Sequence, residues 1–103
     1  MRKTKEMIEI ENINTPGRTS RVNQKKYEII KKAMLEILPT RSPGFTHKEI
    51  CAAVDPYLDQ QHFPSGATSA WWAKTVQLDL EAKGILIREP TKPLRWYRVI
   101  RSK

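Results

Sequence analysis

One stretch of the chain limits the fold more than any other: residues 68–84, with the sequence TSAWWAKTVQLDLEAKG. Thr68 is suited to the N-cap of a helix, because its hydroxyl can accept a hydrogen bond from a free backbone N–H of the first turn. Gly84 is suited to the left-handed residue that closes a helix. At about 100° per residue, one apolar stripe of this helix is expected to face a core. The stripe consists of Trp72, Ala73, Val76 and Leu80.

The opposite side of the same helix is also apolar. Its members are Trp71, Leu78 and Ala82, with Thr75 beside them. The face between the two stripes is polar and consists of Lys74, Gln77 and Glu81. A helix with two apolar stripes is either packed on both sides or keeps one side for a partner.

The residues after this helix predict a β-hairpin. Residues 85–88 (ILIR) and 94–100 (LRWYRVI) are typical of strands, and residues 89–93 (EPTKP) are typical of the turn between them. Trp96 and Tyr97 should point to opposite faces of their strand, so one of them is expected to pack on the core.

Two more helices precede this unit. The spacing of apolar residues predicts a first helix over residues 23–38. Thr46 and Glu49 match a capping box at the start of a second helix, which is expected over residues 47–54. A short third strand is expected between these two helices, near residues 44–45.

The beginning of the chain is predicted to be separate from the folded unit. Residues 1–22 are interpreted as a basic arm in front of a domain of residues 23–103. Residues 7–13 alternate well enough between apolar and polar for a short strand. Two interpretations of the arm remain open: it contacts phosphate or another subunit, or it is a loosely ordered terminus.

Charge and composition narrow the class of protein. The 103 residues carry a formal net charge of +8, which favours polyanions such as nucleic acid. No apolar run reaches the roughly 18 residues of a membrane span, so no membrane partner is expected. The single cysteine, Cys51, excludes an internal disulfide and fits a cytoplasmic location.

The residues that could carry chemistry predict neither an enzyme nor a metal site. His47 and Cys51 are four residues apart on the second helix and His62 follows, but zinc needs three or four ligands and no fourth is evident. The sequence has no glycine-rich phosphate loop and no nucleophile elbow. We therefore expect no catalysis, no cofactor and no metal.

The order of these elements, with LDLEAKGILIRE where the long helix meets the hairpin, resembles the winged helix-turn-helix superfamily. Leu80, Gly84 and Ile85 match its core leucine, its helix-ending glycine and its inward strand residue. The resemblance implies an α+β, mainly α fold with three main helices and a C-terminal β-hairpin wing. Residues 68–96, above all WWAKTVQLDLEAKG and REPTKPLRW, also resemble a family of small, uncharacterised bacterial proteins. That likeness extends back to about Tyr27 and leaves out the arm.

The leading functional hypothesis is non-enzymatic binding of double-stranded DNA, with transcriptional regulation as the wider role. A recognition helix presents its N-terminal half to base edges in the major groove. The wing is expected to meet phosphate or the minor groove. The predicted contacts are Ser69, Lys74 and Thr75 on helix 68–84, and Lys92 and Arg95 in wing 88–98.

The alternative is a winged-helix module that binds another protein or dimerises, and binds no DNA. Trp71 and Leu78 do not suit a DNA groove, which offers few apolar contacts beyond thymine methyl groups. An outward apolar stripe is instead suited to a homodimer contact or to cover by the arm.

Overall fold

A computed structural model of the chain describes residues 7–64 and 68–99. This part is α+β, with three α-helices and two small antiparallel sheets. In chain order the elements are β1 (Met7–Glu11), β2 (Thr19–Asn23), α1 (Gln24–Ile37), β3 (Phe45–Thr46), α2 (His47–Val54), a 3-10 turn (Asp55–Tyr57), α3 (Ser69–Ala82), β4 (Leu86–Glu89) and β5 (Arg95–Arg98). Residues 1–6 of the predicted arm, residues 65–67 before α3 and Ile100 of the predicted last strand lie outside the described ranges. Within those ranges no helix has the length and apolar character needed to cross a membrane.

The three helices lie where the sequence predicts them, and local capping explains the start of the first two. At the start of α1, the side chain of Asn23 accepts a hydrogen bond from the N–H of Lys26 at 3.0 Å. At the start of α2, the N–H of Glu49 donates to the Thr46 hydroxyl at 3.2 Å. The N–H of Thr46 donates in return to the Glu49 carboxylate at 2.9 Å. The predicted capping box is therefore confirmed.

At α3 the predicted closure of the C-terminal end is confirmed, whereas the predicted side-chain cap of the N-terminal end is not. Gly84 has a φ of 76° and donates its N–H to the Glu81 carbonyl at 3.0 Å. The N–H of Ile85 donates to the Leu80 carbonyl at 2.9 Å, so the glycine closes the helix as predicted. Thr68 holds the N-cap position, but the prediction that its side chain caps the helix is wrong. A capping side chain normally starts from extended backbone, whereas Thr68 is left-handed, with a φ of 60°.

The apolar stripe of α3 is buried as predicted and lies at the centre of the core. Its four members, each at most 6% exposed, are Trp72, Ala73, Val76 and Leu80. They pack in one cluster with Ile30 and Met34 of α1 and with Ile50 and Val54 of α2. Removing such side chains from water is the dominant favourable contribution to folding, so α1 and α2 are held against one side of α3.

The prediction of a polar face on α3 is wrong at two of its three positions. Lys74 is exposed, but Gln77 and Glu81 are buried. The reason is that other elements contact the C-terminal half of α3: the backbone of Glu11 in β1 donates to Asp79, and Arg88 of β4 donates to Glu81. The exposed side of α3 therefore lies mainly in its N-terminal half.

The short strand predicted within residues 7–13 is confirmed as β1, but it is part of a second hairpin, which corrects the prediction of a single C-terminal hairpin wing. Strands β1 and β2 pair antiparallel, and we call residues 7–23 the N-terminal hairpin. Ile10 and Val22 of this hairpin are buried and belong to the core cluster, so much of the predicted arm is part of the packed structure. The sequence does not predict β2, because only one of its five residues, TSRVN, is apolar.

The other sheet has the strand order β3-β5-β4. The predicted short strand between the first two helices is confirmed as β3, in which Phe45 lies opposite Trp96 of β5. Trp96 is buried and Tyr97 is half-buried, so the expectation that one of the two packs on the core is also confirmed. Gly44 permits this close pairing, since a Cβ at that position would lie 2.0 Å from the carbonyl oxygen of Trp96. We call β4, β5 and their connection the C-terminal hairpin.

Candidate functional site

The N-terminal half of α3 carries the helix residues predicted to contact DNA. Lys74 is exposed, and Ser69 and Thr75 are half-buried. Trp71 is 55% exposed, and its ring meets the Trp72 ring edge-on with the centroids 5.1 Å apart. This half of the helix therefore offers one cation, two hydroxyls and an accessible aromatic ring.

Lys74 acts electrostatically on His47 in the first turn of α2. Burial lowers the pKa of His47, and the positive charge of Lys74 lowers it further. The His47 imidazole is therefore neutral at pH 7, and its Nε2 lies 3.4 Å from Cys51 Sγ. Lys48, the neighbour of His47, is exposed and adds a cation that the sequence analysis missed. The capping box was the available signal, because it places Lys48 in the first turn of α2.

The C-terminal hairpin reaches the same turn of α2. Arg95 of β5 lies opposite Thr46 in the strand pairing. The Arg95 Nη1 donates to the Gly44 carbonyl at 2.9 Å and lies 3.4 Å from Glu49 Oε1. The first turn of α2 is therefore in contact with Arg95 and also lies within the electrostatic influence of Lys74.

These contacts connect the two groups of predicted DNA contacts through α2. We use the name basic surface for Lys74 and Arg95 together with the exposed Lys48 of α2 and the exposed Lys92 of the C-terminal hairpin. Lys92 is exposed in the connection between β4 and β5. The carboxylate of Glu49, beside Arg95, offsets part of this charge.

Another arginine of the predicted wing, Arg88, forms an ion pair within the chain. Arg88 donates through Nε and Nη2 to the two carboxylate oxygens of Glu81, both at 2.9 Å. The indole N–H of Trp96 donates to the same carboxylate at 2.7 Å, and the side-chain amide of Gln77 donates to it at 3.2 Å. The buried carboxylate is thereby satisfied and holds the C-terminal hairpin against α3.

Asp79 joins the N-terminal hairpin to α3 in a similar way. Its buried carboxylate accepts hydrogen bonds from the backbone N–H of Glu11 at 2.9 Å, from the Tyr27 hydroxyl and from the Lys83 ammonium. Burial raises the pKa of Tyr27 above its ordinary value, and the Asp79 carboxylate raises it further. The hairpin is therefore fixed to the helix by a specific polar contact as well as by apolar packing.

A cleft of about 310 Å³ remains between the N-terminal hairpin and α3. Its lining residues on the hairpin side are Ile10, Glu11, Asn12, Ser20 and Val22, and on the helix side Trp71, Lys74, Thr75 and Leu78. Leu78, one of the two predicted partner contacts, is 8% exposed because the chain's own hairpin lies over it. Trp71, the other, stays accessible at the edge of the cleft.

Comparison with protein families places the chain in one of them. The model of a family of unknown function, DUF6958, matches residues 7–96, from the start of β1 into β5. The chain belongs to this family. The part that matches DUF6958 includes the N-terminal hairpin, the cleft and the whole basic surface. No curated protein and no solved structure matches the chain.

Among the residues that the structure describes, no three His, Cys, Asp or Glu side chains are grouped as a metal site requires. The basic surface and the cleft are the two surface features to which the predicted site residues contribute.

Proposed function

We propose that this DUF6958 chain binds double-stranded DNA through the basic surface, as a winged-helix protein that catalyses no reaction. The observation that carries the proposal is the position of the first turn of α2. It contacts Arg95 and lies close enough to Lys74 for that charge to lower the pKa of His47. The first turn of α2 thus relates Lys74 of α3 to Arg95 of the C-terminal hairpin, and neighbouring cations are what a ligand with regularly spaced phosphates requires.

The topology supports the winged-helix part of the proposal. The helices and strands follow one another as α1, β3, α2, α3, β4 and β5, and β5 lies between β3 and β4. The C-terminal hairpin would be the wing, and α3 would be the recognition helix. The exposed N-terminal half of α3 is the part that a recognition helix inserts into the major groove.

The roles of the individual contacts follow from their positions. Lys74, with Ser69 and Thr75 beside it, would meet base edges, whereas Lys92 and Arg95 would meet phosphate. Arg95 already donates to the Gly44 carbonyl, so part of its hydrogen-bonding capacity is used within the chain. Control of transcription is the wider role that we propose for such binding.

Fluorescence anisotropy with duplex DNA across a salt series tests this proposal. We expect the wild type to bind more tightly than about 10⁻⁴ M at physiological salt, the weak end of non-specific binding. Lys92→Ala and Arg95→Ala should weaken binding to all sequences alike and reduce the salt dependence by about one unit of slope each. Lys74→Ala should instead cost about 1–3 kcal/mol on a preferred sequence and little on others.

Lys32→Ala provides the matched control, because Lys32 is an exposed lysine on α1 outside the basic surface. Lys32→Ala removes the same single positive charge as Lys92→Ala. If the two variants weakened DNA binding equally, the binding would depend on net charge alone and not on the basic surface. Wild-type binding weaker than about 10⁻⁴ M at physiological salt would contradict the proposal outright.

A second candidate function is self-association, which the exposure of Trp71 favours. A large aromatic ring that is 55% accessible is well suited to anchor a protein contact. Ile13 and Ile87 are exposed as well, at 41% and 39%, and line another cleft on the chain. In this alternative the chain would form a homodimer through Trp71 and would bind no DNA.

Sedimentation equilibrium tests the second candidate, because it measures whether the chain is a monomer or a dimer in solution. If the chain dimerises through Trp71, its mass should rise toward twice 12.0 kDa as concentration increases. Trp71→Ser should return it to the monomer, because the buried aromatic area of the contact is lost. Leu94→Ser, a change at another exposed apolar residue, should have no effect. A wild type that stays monomeric at high concentration would eliminate this candidate.

A further inference from the structure

The cleft between the N-terminal hairpin and α3 combines apolar walls with one cation, which DNA binding does not require. We propose that it binds a small molecule with an apolar body and a single carboxylate. This site goes beyond the proposed function, because its ligand would be a small monoanion rather than a polyanion.

The helix wall of the cleft carries both apolar surface and the cation. Its members follow the spacing i, i+3, i+4 and i+7, so they share one face of α3. They are Trp71, Lys74, Thr75 and Leu78. Lys74 is therefore on the same face as two apolar side chains, and its ammonium is carried by a flexible four-carbon stem. A ligand held against Trp71 and Leu78 would lie within reach of this ammonium.

The hairpin wall adds apolar surface without a charge. Ile10 lies opposite Ser20 in the strand pairing, and Val22 follows Ser20 by two positions. Because side chains alternate along a strand, these three residues share the face that lines the cleft.

The carboxylate of Glu11, at the border of the cleft, belongs to the other face of the hairpin. Glu11 pairs with Thr19 and reaches α3 through its backbone N–H, which donates to Asp79 at 2.9 Å. The Thr19 hydroxyl donates to the Glu9 carboxylate at 2.9 Å across the same outer face. Among the described residues that line the cleft, Lys74 is then the one that presents a charge to it.

The polar groups of the cleft suit an anion. Among the residues that the structure describes, Lys74 forms no ion pair with a carboxylate. The Thr75 hydroxyl and the Asn12 amide line the same cleft. The oxygen of that amide accepts from the N–H of Asn14 at 2.8 Å, so its NH₂ group is the part left for a ligand. An ammonium with two neutral donors is a set that a carboxylate can satisfy as an acceptor.

The size of the cleft limits the apolar body of the ligand. Its volume of about 310 Å³ is at the small end of the roughly 300–1,000 Å³ range for ligand pockets, which suits one small molecule. Its apolar body would be removed from water at roughly 25 cal/mol per Å². Ile10 and Val22 belong to the core cluster together with the buried stripe of α3, so both walls are held in place. A largely preformed site lowers the entropic cost of binding.

The site would also have a regulatory consequence, which rests on the proposed DNA binding. A carboxylate on Lys74 would compete with DNA for the same ammonium. The ligand would then act as an antagonist of DNA binding.

An NMR titration of the full chain without DNA tests the ligand site by itself. The protein is labelled with ¹⁵N, and the backbone N–H signals of Ser20 and Thr75, one from each wall, are followed while three probes are added. 3-Phenylpropanoate has a ring and a carboxylate, 3-phenylpropanamide has the same ring and no charge, and acetate has the carboxylate alone. We expect 3-phenylpropanoate to bind with a Kd below about 1 mM and each of the others to bind at least about tenfold more weakly.

Two variants separate the Lys74 ammonium from the net charge of the chain. Lys74→Met keeps an apolar stem and removes the charge, so 3-phenylpropanoate should then bind no more tightly than 3-phenylpropanamide. Lys32→Met removes the same charge from α1, outside the cleft, and should leave the preference for the carboxylate unchanged. Away from the substituted residue, the spectra of both variants without ligand should match that of the wild type, since both side chains are exposed.

Four results would overturn the proposal. One is the absence of any shift at Ser20 and Thr75 with 3-phenylpropanoate at about ten times the expected Kd. Another is equal binding of 3-phenylpropanoate and 3-phenylpropanamide to the wild type, which would indicate apolar adsorption only. The third is equal binding of 3-phenylpropanoate and acetate, which would indicate attraction of any anion. The fourth is a preference for the carboxylate that persists in Lys74→Met or disappears in Lys32→Met. None of these results bears on the anisotropy experiment, so failure of the ligand site and failure of DNA binding are distinguishable.

Discussion

Asp79→Ala is expected to lower the free energy of unfolding by about 2–5 kcal/mol. The Asp79 carboxylate is fully buried and accepts from the Glu11 N–H and the Tyr27 hydroxyl. Without it, two donors inside the protein lose their acceptor, and each such loss costs about 1–3 kcal/mol. Lys83 adds little to this total, because its partly exposed ammonium can turn to water. Urea denaturation followed by circular dichroism measures the loss.

Two controls separate the hydrogen bonds from the packing at this position. Tyr27→Phe removes one donor and leaves the buried Asp79 Oδ2 without that partner, so it should cost about 1–3 kcal/mol, less than Asp79→Ala. Lys83→Met should cost less than about 1 kcal/mol, as expected for a partly exposed ion pair. Hydrogen exchange adds a local measurement, since the amide of Glu11 should lose protection in Asp79→Ala. A total loss below about 1 kcal/mol with the Glu11 amide still protected would contradict the role given to Asp79.

Leu80→Ala is expected to cost about 2–5 kcal/mol, the range for leucines that leave a cavity in a core. Leu80 is fully buried and belongs to the cluster in which α1 and α2 meet α3. Deleting its side chain removes apolar contacts from all sides at once, and a close-packed interior can only partly collapse into the space. The midpoint of urea denaturation should fall accordingly, with little change in its slope.

Leu94→Ala is the matched control for this second experiment. The same atoms are deleted from a leucine that is 38% exposed in the C-terminal hairpin, so the cost should be within about 0.5 kcal/mol. A loss below about 1 kcal/mol for Leu80→Ala would mean that the packed face of α3 is different from the one described here.

The sequence predicts well those features that depend on neighbouring residues. The capping box of Thr46 and Glu49 closes through hydrogen bonds between residues three apart in the chain. The closure at Gly84 depends on the last turn of the same helix and on the conformational freedom of glycine. Periodicity alone then identifies the buried stripe with Leu80. All of these signals are contained within one turn or one helix.

The burial of charged side chains could not be predicted in this way. Glu81 lies on what periodicity indicates as a polar face, yet Arg88 and Trp96 from the C-terminal hairpin satisfy its carboxylate. Asp79 is buried because the backbone of Glu11, 68 positions earlier in the chain, supplies a donor. A charged residue can be buried when such partners are present, and nothing local shows where they will come from.

By itself, then, the sequence determined the three helices, the strand β1, the strand at Phe45 and the C-terminal hairpin. Only the tertiary structure decided that the segment predicted as an arm folds over Leu78 and leaves Trp71 accessible. It also decided that the first turn of α2 contacts Arg95 and lies within the electrostatic influence of Lys74, and that a cleft remains between the N-terminal hairpin and α3. The physical reason is the separation along the chain of the residues that interact. Hydrogen bonds and periodicity within an element act between residues a few positions apart, whereas a surface or a cleft is made by elements that only the packing of the core brings together.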